Sequence, residues 1–131
     1  IYKSNYMNHC QCLVPVSVGE LFDKYSILQI KNERITDINK LAIIQKEINY
    51  LTPFINQYTL ESRFHNQIKA INEQLWNIEE KIREKEFLKE FDDEFINLAR
   101  NVYKTNDERC RIKNKINEYL KSDIKEIKSY V

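Results

Sequence analysis

Apolar residues recur along most of this chain at spacings of three and four, the period of one helical face. The clearest run is Phe64, Ile68, Ile71, Leu75, Ile78 and Ile82. It holds a heptad seam over nearly three repeats and predicts a long helix, capped by Thr59 and ending near residue 88, in antiparallel bundle or coiled-coil packing. Upstream, Leu21, Leu28 and Ile35 recur every seventh residue, with Ile27 and Ile30 beside them. Ser17 followed by Glu20 makes a capping box, so a first helix is predicted over about 18–35. Thr36 or Asp37 can cap a second helix carrying Leu41, Ile44, Ile48 and Leu51. Pro53 is expected to break or bend it, leaving a connection over about 53–58. Asp92 and Asp93 then precede Phe95, Leu98, Ala99, Val102, Ile112, Ile116 and Tyr119, the inner face of a fourth helix expected to reach about residue 121. Ser122 or Asp123 can start a short last turn, with Ile124, Ile127 and Tyr130 available to pack. Residues 1–13 have no period and read as an arm, with Pro15 favouring extended backbone just after it.

The expected fold is therefore all-α: an antiparallel bundle of about four main helices in a single domain over 14–131, behind a short extended arm. Composition agrees. One Gly and two Pro in 131 residues are too few turn formers for barrels, sandwiches or Rossmann-type folds, and they exclude a glycine-rich phosphate loop. With 42 % hydrophobic and 31 % charged residues the chain can bury a core. Its net charge of +1 and interleaved signs argue against nucleic-acid binding, even though helix 4 carries Arg100, Arg109, Arg111 and Lys115. No apolar run approaches a membrane span, and no signal-peptide pattern opens the chain. Three cysteines, Cys10, Cys12 and Cys110, form no disulfide framework, so a reducing, cytoplasmic setting is expected. Heavy use of Ile, Lys and Asn is what an AT-rich bacterial or viral genome encodes. The chain opens on Ile1 rather than Met, which suits either a piece of a longer polypeptide or a chain lacking its first residues.

The informative departures from the apolar pattern are charged. The seam of helix 1 passes through Lys24 and Lys31, with Asp23 and Arg34 nearby. That of helix 4 passes through Asn106 and Arg109, flanked by Arg100, Tyr103, Asp107 and Lys113. Helix 3 adds Glu79, Arg83 and Glu84. Buried ions cost several kcal/mol, roughly, unless paired. One reading is an inter-helix network in which Glu20, Asp23, Glu79, Glu84 and Asp107 partner the bases and fix helix register. The other is a basic cleft in which Lys24, Lys31, Arg34, Arg83, Arg100, Asn106, Arg109 and Lys113 receive a small anion, a carboxylate or a phosphate.

Other constellations are weaker. His9-Cys10-Gln11-Cys12 does not have the spacing of a common zinc knuckle, so no metal is expected there. Cys110 lies between Arg109 and Arg111 but has no His nearby in sequence to activate it. The run Glu90-Phe-Asp-Asp-Glu94 is explained by a capped helix start, and Trp76 by packing. No catalytic residue and no cofactor is assigned.

The segments Val16-Ser-Val-Gly-Glu-Leu-Phe-Asp-Lys24, Leu75-Trp-Asn-Ile-Glu-Glu80, Leu98-Ala-Arg100, Val102-Tyr103, Asn106-Asp107-x-Arg109 and Glu126-Ile-Lys-Ser-Tyr130 resemble a small bacterial and phage family of helical domains without an established activity. The resemblance covers about 14–131. It implies that Glu20, Asp23, Lys24, Lys31, Arg34, Arg83, Arg100, Asn106, Asp107, Arg109 and Lys113 are motif residues. It also implies an accessory role, since such domains stand alone or attached to larger proteins. The expected function is a non-enzymatic interaction module, self-associating or binding a protein partner. The alternative is an anion-binding protein or enzyme using the basic cleft; helix 1 has a faint echo of helical chorismate-mutase sites.

Overall fold

A computed structural model describes residues 10–129. Four helices follow one another: α1 (Val18–Arg34), α2 (Ile38–Ile55), α3 (Ser62–Leu88) and α4 (Asp93–Tyr119). There is no strand among the described residues. Residues 10–16 are irregular and exposed.

Local chemistry sets the ends. Ser17 caps α1, its Oγ accepting from the Glu20 N–H at 3.0 Å. Glu20 does not close the predicted box; its carboxylate takes Lys113 instead. Asp37 caps α2 through the Lys40 N–H, and Asp92 caps α4 through the Phe95 N–H. Two boundaries differ from expectation. α2 runs through Pro53 to Ile55. Near a helix end the missing N–H removes only one ladder bond, and the Thr52 hydroxyl bonds back to the Ile48 carbonyl just ahead of it. α3 starts after Glu61, with no side-chain cap, so Thr59 does not serve as one. Lys89 turns the chain between α3 and α4 in the left-handed conformation, at φ 58°.

α1 is the centre of the fold. It packs against each of the other three helices, while α2 packs only on α1. α3 and α4 form an antiparallel hairpin, shown by Phe64 against Tyr119 at one end and Lys85 against Asp92 at the other. α1 lies along this hairpin in the direction of α3: the Phe22 ring meets His65, and Arg34 reaches Asn77. The core joins Phe22 to Phe64, Ile68 and Ile71 of α3 and to Ile112 and Ile116 of α4.

Length then decides what stays uncovered. At 1.5 Å per residue, the 17 residues of α1 span about 26 Å and the 27 residues of α3 or α4 about 40 Å. The distal part of the hairpin therefore runs past α1 with only two helices. Its apolar side chains show it: Phe87 is 85 % exposed, Phe91 56 %, and Leu88 and Ile96 52 % each.

Candidate functional site: a polar cluster between α1, α3 and α4

The start of α1 is held by residues about a hundred positions away. The first N–H groups of a helix have no partner inside it. Here the Val18 N–H donates to Ser122 Oγ at 3.1 Å and the Gly19 N–H to Asn117 Oδ1 at 2.6 Å. Such an approach needs a residue without a side chain: a Cβ on Gly19 would overlap the Lys113 carbonyl oxygen and stand 2.9 Å from Asn117 Oδ1. The chain's one glycine is thus placed where α1 touches α4.

One turn further on, Asp23 and Ser26 are buried on the side of α1 that faces α3. Asn72 Nδ2 donates to Asp23 Oδ1 at 2.7 Å and to Ser26 Oγ at 2.8 Å. Asn72 Oδ1 in turn accepts from Arg109 at 3.4 Å. Lys113 of α4 closes the cluster. Its Nζ pairs with Glu20, with Glu126 at 2.9 Å and with Asp23 at 3.9 Å. Glu126 lies in the irregular segment after α4, and Asn114 holds its backbone on both sides: the amide donates to the Glu126 carbonyl and accepts from the Glu126 N–H, both at 2.9 Å.

The titration of these groups follows the geometry. Burial pushes the Asp23 carboxyl above the usual carboxylate range, and Asn72, Arg109 and Lys113 only partly offset it. Burial alone would push Lys113 down, but hydrogen bonds to Glu20 and Glu126 raise it. For Glu126, too, burial opposes ionisation, and Lys113 and Ser17 outweigh it and hold the carboxyl low. Two cations, Arg109 and Lys113, stand against three carboxylates, so the cluster is not a basic cleft. No buried side-chain nitrogen or oxygen lacks a hydrogen-bond partner among the described residues.

The residues singled out from sequence thus separate. Glu20, Asp23, Arg109 and Lys113 meet in the cluster. Lys24 instead points to α2, pairing with Glu47 at 2.8 Å with half of its side chain exposed. Lys31 is half-buried and makes none of the cluster's bonds. Arg34 binds α3 through Asn77 at 2.6 Å and Glu73 at 3.6 Å, with its guanidinium 5.8 Å from the Trp76 ring centre. Arg83 is exposed and pairs with Glu79 on its own helix at 3.4 Å. Arg100 and Glu84 are exposed and form no ion pair among the described residues. Asn106 and Asp107 line a groove beside α4, where Asp107 pairs with Lys128 at 3.1 Å. Of the eight basic and amide side chains, Asn106, Arg109 and Lys113 line that one groove, and the other five lie elsewhere.

Sequence reasoning passed over Gly19, Ser26, Asn72, Asn114, Asn117, Ser122 and Glu126 as site residues. A signal existed for four of them: Gly19 and Glu126 stand in segments that carry the family resemblance, and Asn72 and Asn117 each follow a seam isoleucine, Ile71 and Ile116, both of which are buried. No group of three or more His, Cys, Asp or Glu able to hold a metal occurs among the described residues. Cys10 and Cys12 are exposed, and His9 lies outside the described residues. No helix of the described residues is long and apolar enough to cross a membrane.

The fold and cluster define an all-α protein in which a hydrogen-bonded polar seam joins three helices. The chain belongs to a family of unknown function, DUF6165, whose match spans residues 12–131. No curated protein and no solved structure matches it.

Proposed function

We propose that this chain is a non-enzymatic interaction module in which the polar cluster sets helix register and the distal hairpin is the docking face. The observation that carries this reading is the row of exposed apolar side chains at the hairpin tip, Phe87, Leu88, Phe91 and Ile96, on helices that α1 is too short to cover. That no buried side-chain nitrogen or oxygen of the cluster lacks a hydrogen-bond partner among the described residues supports a structural role for it.

The occupant is a second copy of the chain, on grounds of charge. Residues 85–95 hold two bases, Lys85 and Lys89, against Glu86, Glu90, Asp92, Asp93 and Glu94, a net charge of −3. The following stretch of α4, 96–104, holds Arg100 and Lys104 and no acid. Two hairpins laid antiparallel about a two-fold axis would bring each acidic tip beside the Arg100 and Lys104 of its mate, roughly two to three helical turns away, while Phe91 and Ile96 meet near the axis. Arg100, free of ion pairs among the described residues, then gains partners.

Sedimentation at about 100 µM tests this, a concentration that fills any interface with a micromolar Kd. The native chain sediments as a dimer, and Phe87→Ser combined with Phe91→Ser sediments as a monomer with unchanged helical content. A native chain that remains monomeric overturns the reading.

A further inference from the structure

A groove of about 470 Å³ runs along α4 between that helix and the segment after it. That size suits a small molecule. Its polar lining includes Tyr103, Asn106, Asp107, Arg109, Glu126 and Lys128. We propose that it binds a small monocarboxylate that also carries hydroxyl or ammonium groups, with the carboxylate on Arg109.

Arg109 is the anchor because its bonding capacity is largely unused. A guanidinium offers five N–H donors in a planar fork that matches a carboxylate. Among the described residues Arg109 makes a single long hydrogen bond, to Asn72. The other bases of the lining are engaged, Lys113 by Glu20 and Glu126 and Lys128 by Asp107. Counting the acids that pair Lys113, the three cations of the lining face four carboxylates, Asp107, Glu126, Glu20 and Asp23, so the groove holds no surplus positive charge and offers an anion only the unfilled Arg109 fork. A single carboxylate suits that fork. A phosphate dianion would sit between Asp107 and Glu126. Those same carboxylates accept hydrogen bonds, which is why the ligand should bring hydroxyl or ammonium donors. The Asn106 amide and Tyr103 hydroxyl supply neutral contacts on the helix side. These residues are not those of the proposed pairing face, so either idea can fail alone.

The test is an amide-resolved NMR titration of the full chain with L-serine, D-gluconate, acetate and inorganic phosphate. Serine or gluconate should move the amides around Tyr103, Asn106 and Cys110; whichever does so tells an amino acid from a hydroxy acid as the ligand class. Acetate should bind about tenfold more weakly, a difference of 1.4 kcal/mol. Phosphate should not compete. Arg109→Gln should abolish the shifts. Because Arg109 also holds Asn72, Asn106→Ala is the second variant: it makes no cluster bond and should weaken binding about tenfold with an unchanged melting temperature. No shift with serine or gluconate up to about 50 mM, tighter binding of phosphate, or undiminished binding by Asn106→Ala would overturn the proposal.

Discussion

Gly19→Ala is the smallest change that should damage this fold. In an ordinary helix the exchange is favourable by up to about 1 kcal/mol. Here the added methyl would run into the Lys113 carbonyl oxygen and come within 2.9 Å of Asn117 Oδ1. Neither obstacle yields easily: one is helix backbone, and the other belongs to a fully buried side chain. Separating α1 from α4 relieves the overlap at the usual cost of overpacking, about 1–3 kcal/mol. It also stretches the 2.6 Å bond from the Gly19 N–H and leaves Asn117 buried without it, roughly another 1–3 kcal/mol. After the helix-propensity gain the expected net loss is about 3 kcal/mol. For a chain of this length that lowers the melting temperature by roughly 10 °C. Urea unfolding followed by far-ultraviolet circular dichroism measures it as a lower midpoint at constant slope. A Gly19→Ala chain within about 0.5 kcal/mol of the native one would refute the close contact between α1 and α4.

Three further outcomes follow from particular side chains. Arg34→Ala loses its bonds to Asn77 and Glu73 and its place near Trp76; it should cost about 1 kcal/mol and shift the emission of the chain's single tryptophan, whereas an unmoved spectrum would place Arg34 elsewhere. Lys24→Ala removes only an exposed pair and should cost less than about 0.5 kcal/mol in the same unfolding assay. Glu126→Gln should show a pH signature. Its carboxyl is held below the ordinary value of 4.5, so its stabilisation is complete above that pH and is lost as pH falls through the lower folded value. The deficit of the variant, read as urea midpoints from about pH 7 to pH 3, should be constant down to about pH 5 and then shrink; a deficit that grows in acid would reverse the sign of the coupling.

The helices were legible because their signals are local. The α3 heptads, the Ser17 and Asp92 caps and the apolar face of α4 each lie within a few turns of one another, and Val18–Arg34 and Asp93–Tyr119 fall within two residues of their expected bounds. The end of α2 was harder, since whether Pro53 stops a helix depends on how near the last turn it falls. The expected short turn after Ser122 does not form. That segment is irregular, with Ile124 and Ile127 exposed rather than packed, because Asn114 and Lys113 engage Glu126. Tyr130 lies outside the described residues.

The polar cluster was legible only by halves. A heptad count marks a charged residue on a seam, and so it found Arg109, with Lys113 flanking it. It cannot tell which side of that seam faces another helix. Lys24 and Asp23 are neighbours in sequence, yet one reaches α2 and the other α3, because α1 is packed on several sides at once. Small amides and hydroxyls carry no such mark. Asn72, Asn117 and Ser26 acquire their roles only when three helices meet.

Lys113→Met puts the central claim, that the cluster is structural, to its most direct test. The lysine side chain is 12 % exposed and faces the buried Asp23 and the partly exposed Glu20 and Glu126, so its removal leaves the cluster's carboxylates with Arg109 as their one cation. Urea unfolding at pH 7 should show a loss of about 3 kcal/mol or more. A variant as stable as the native chain would contradict the account.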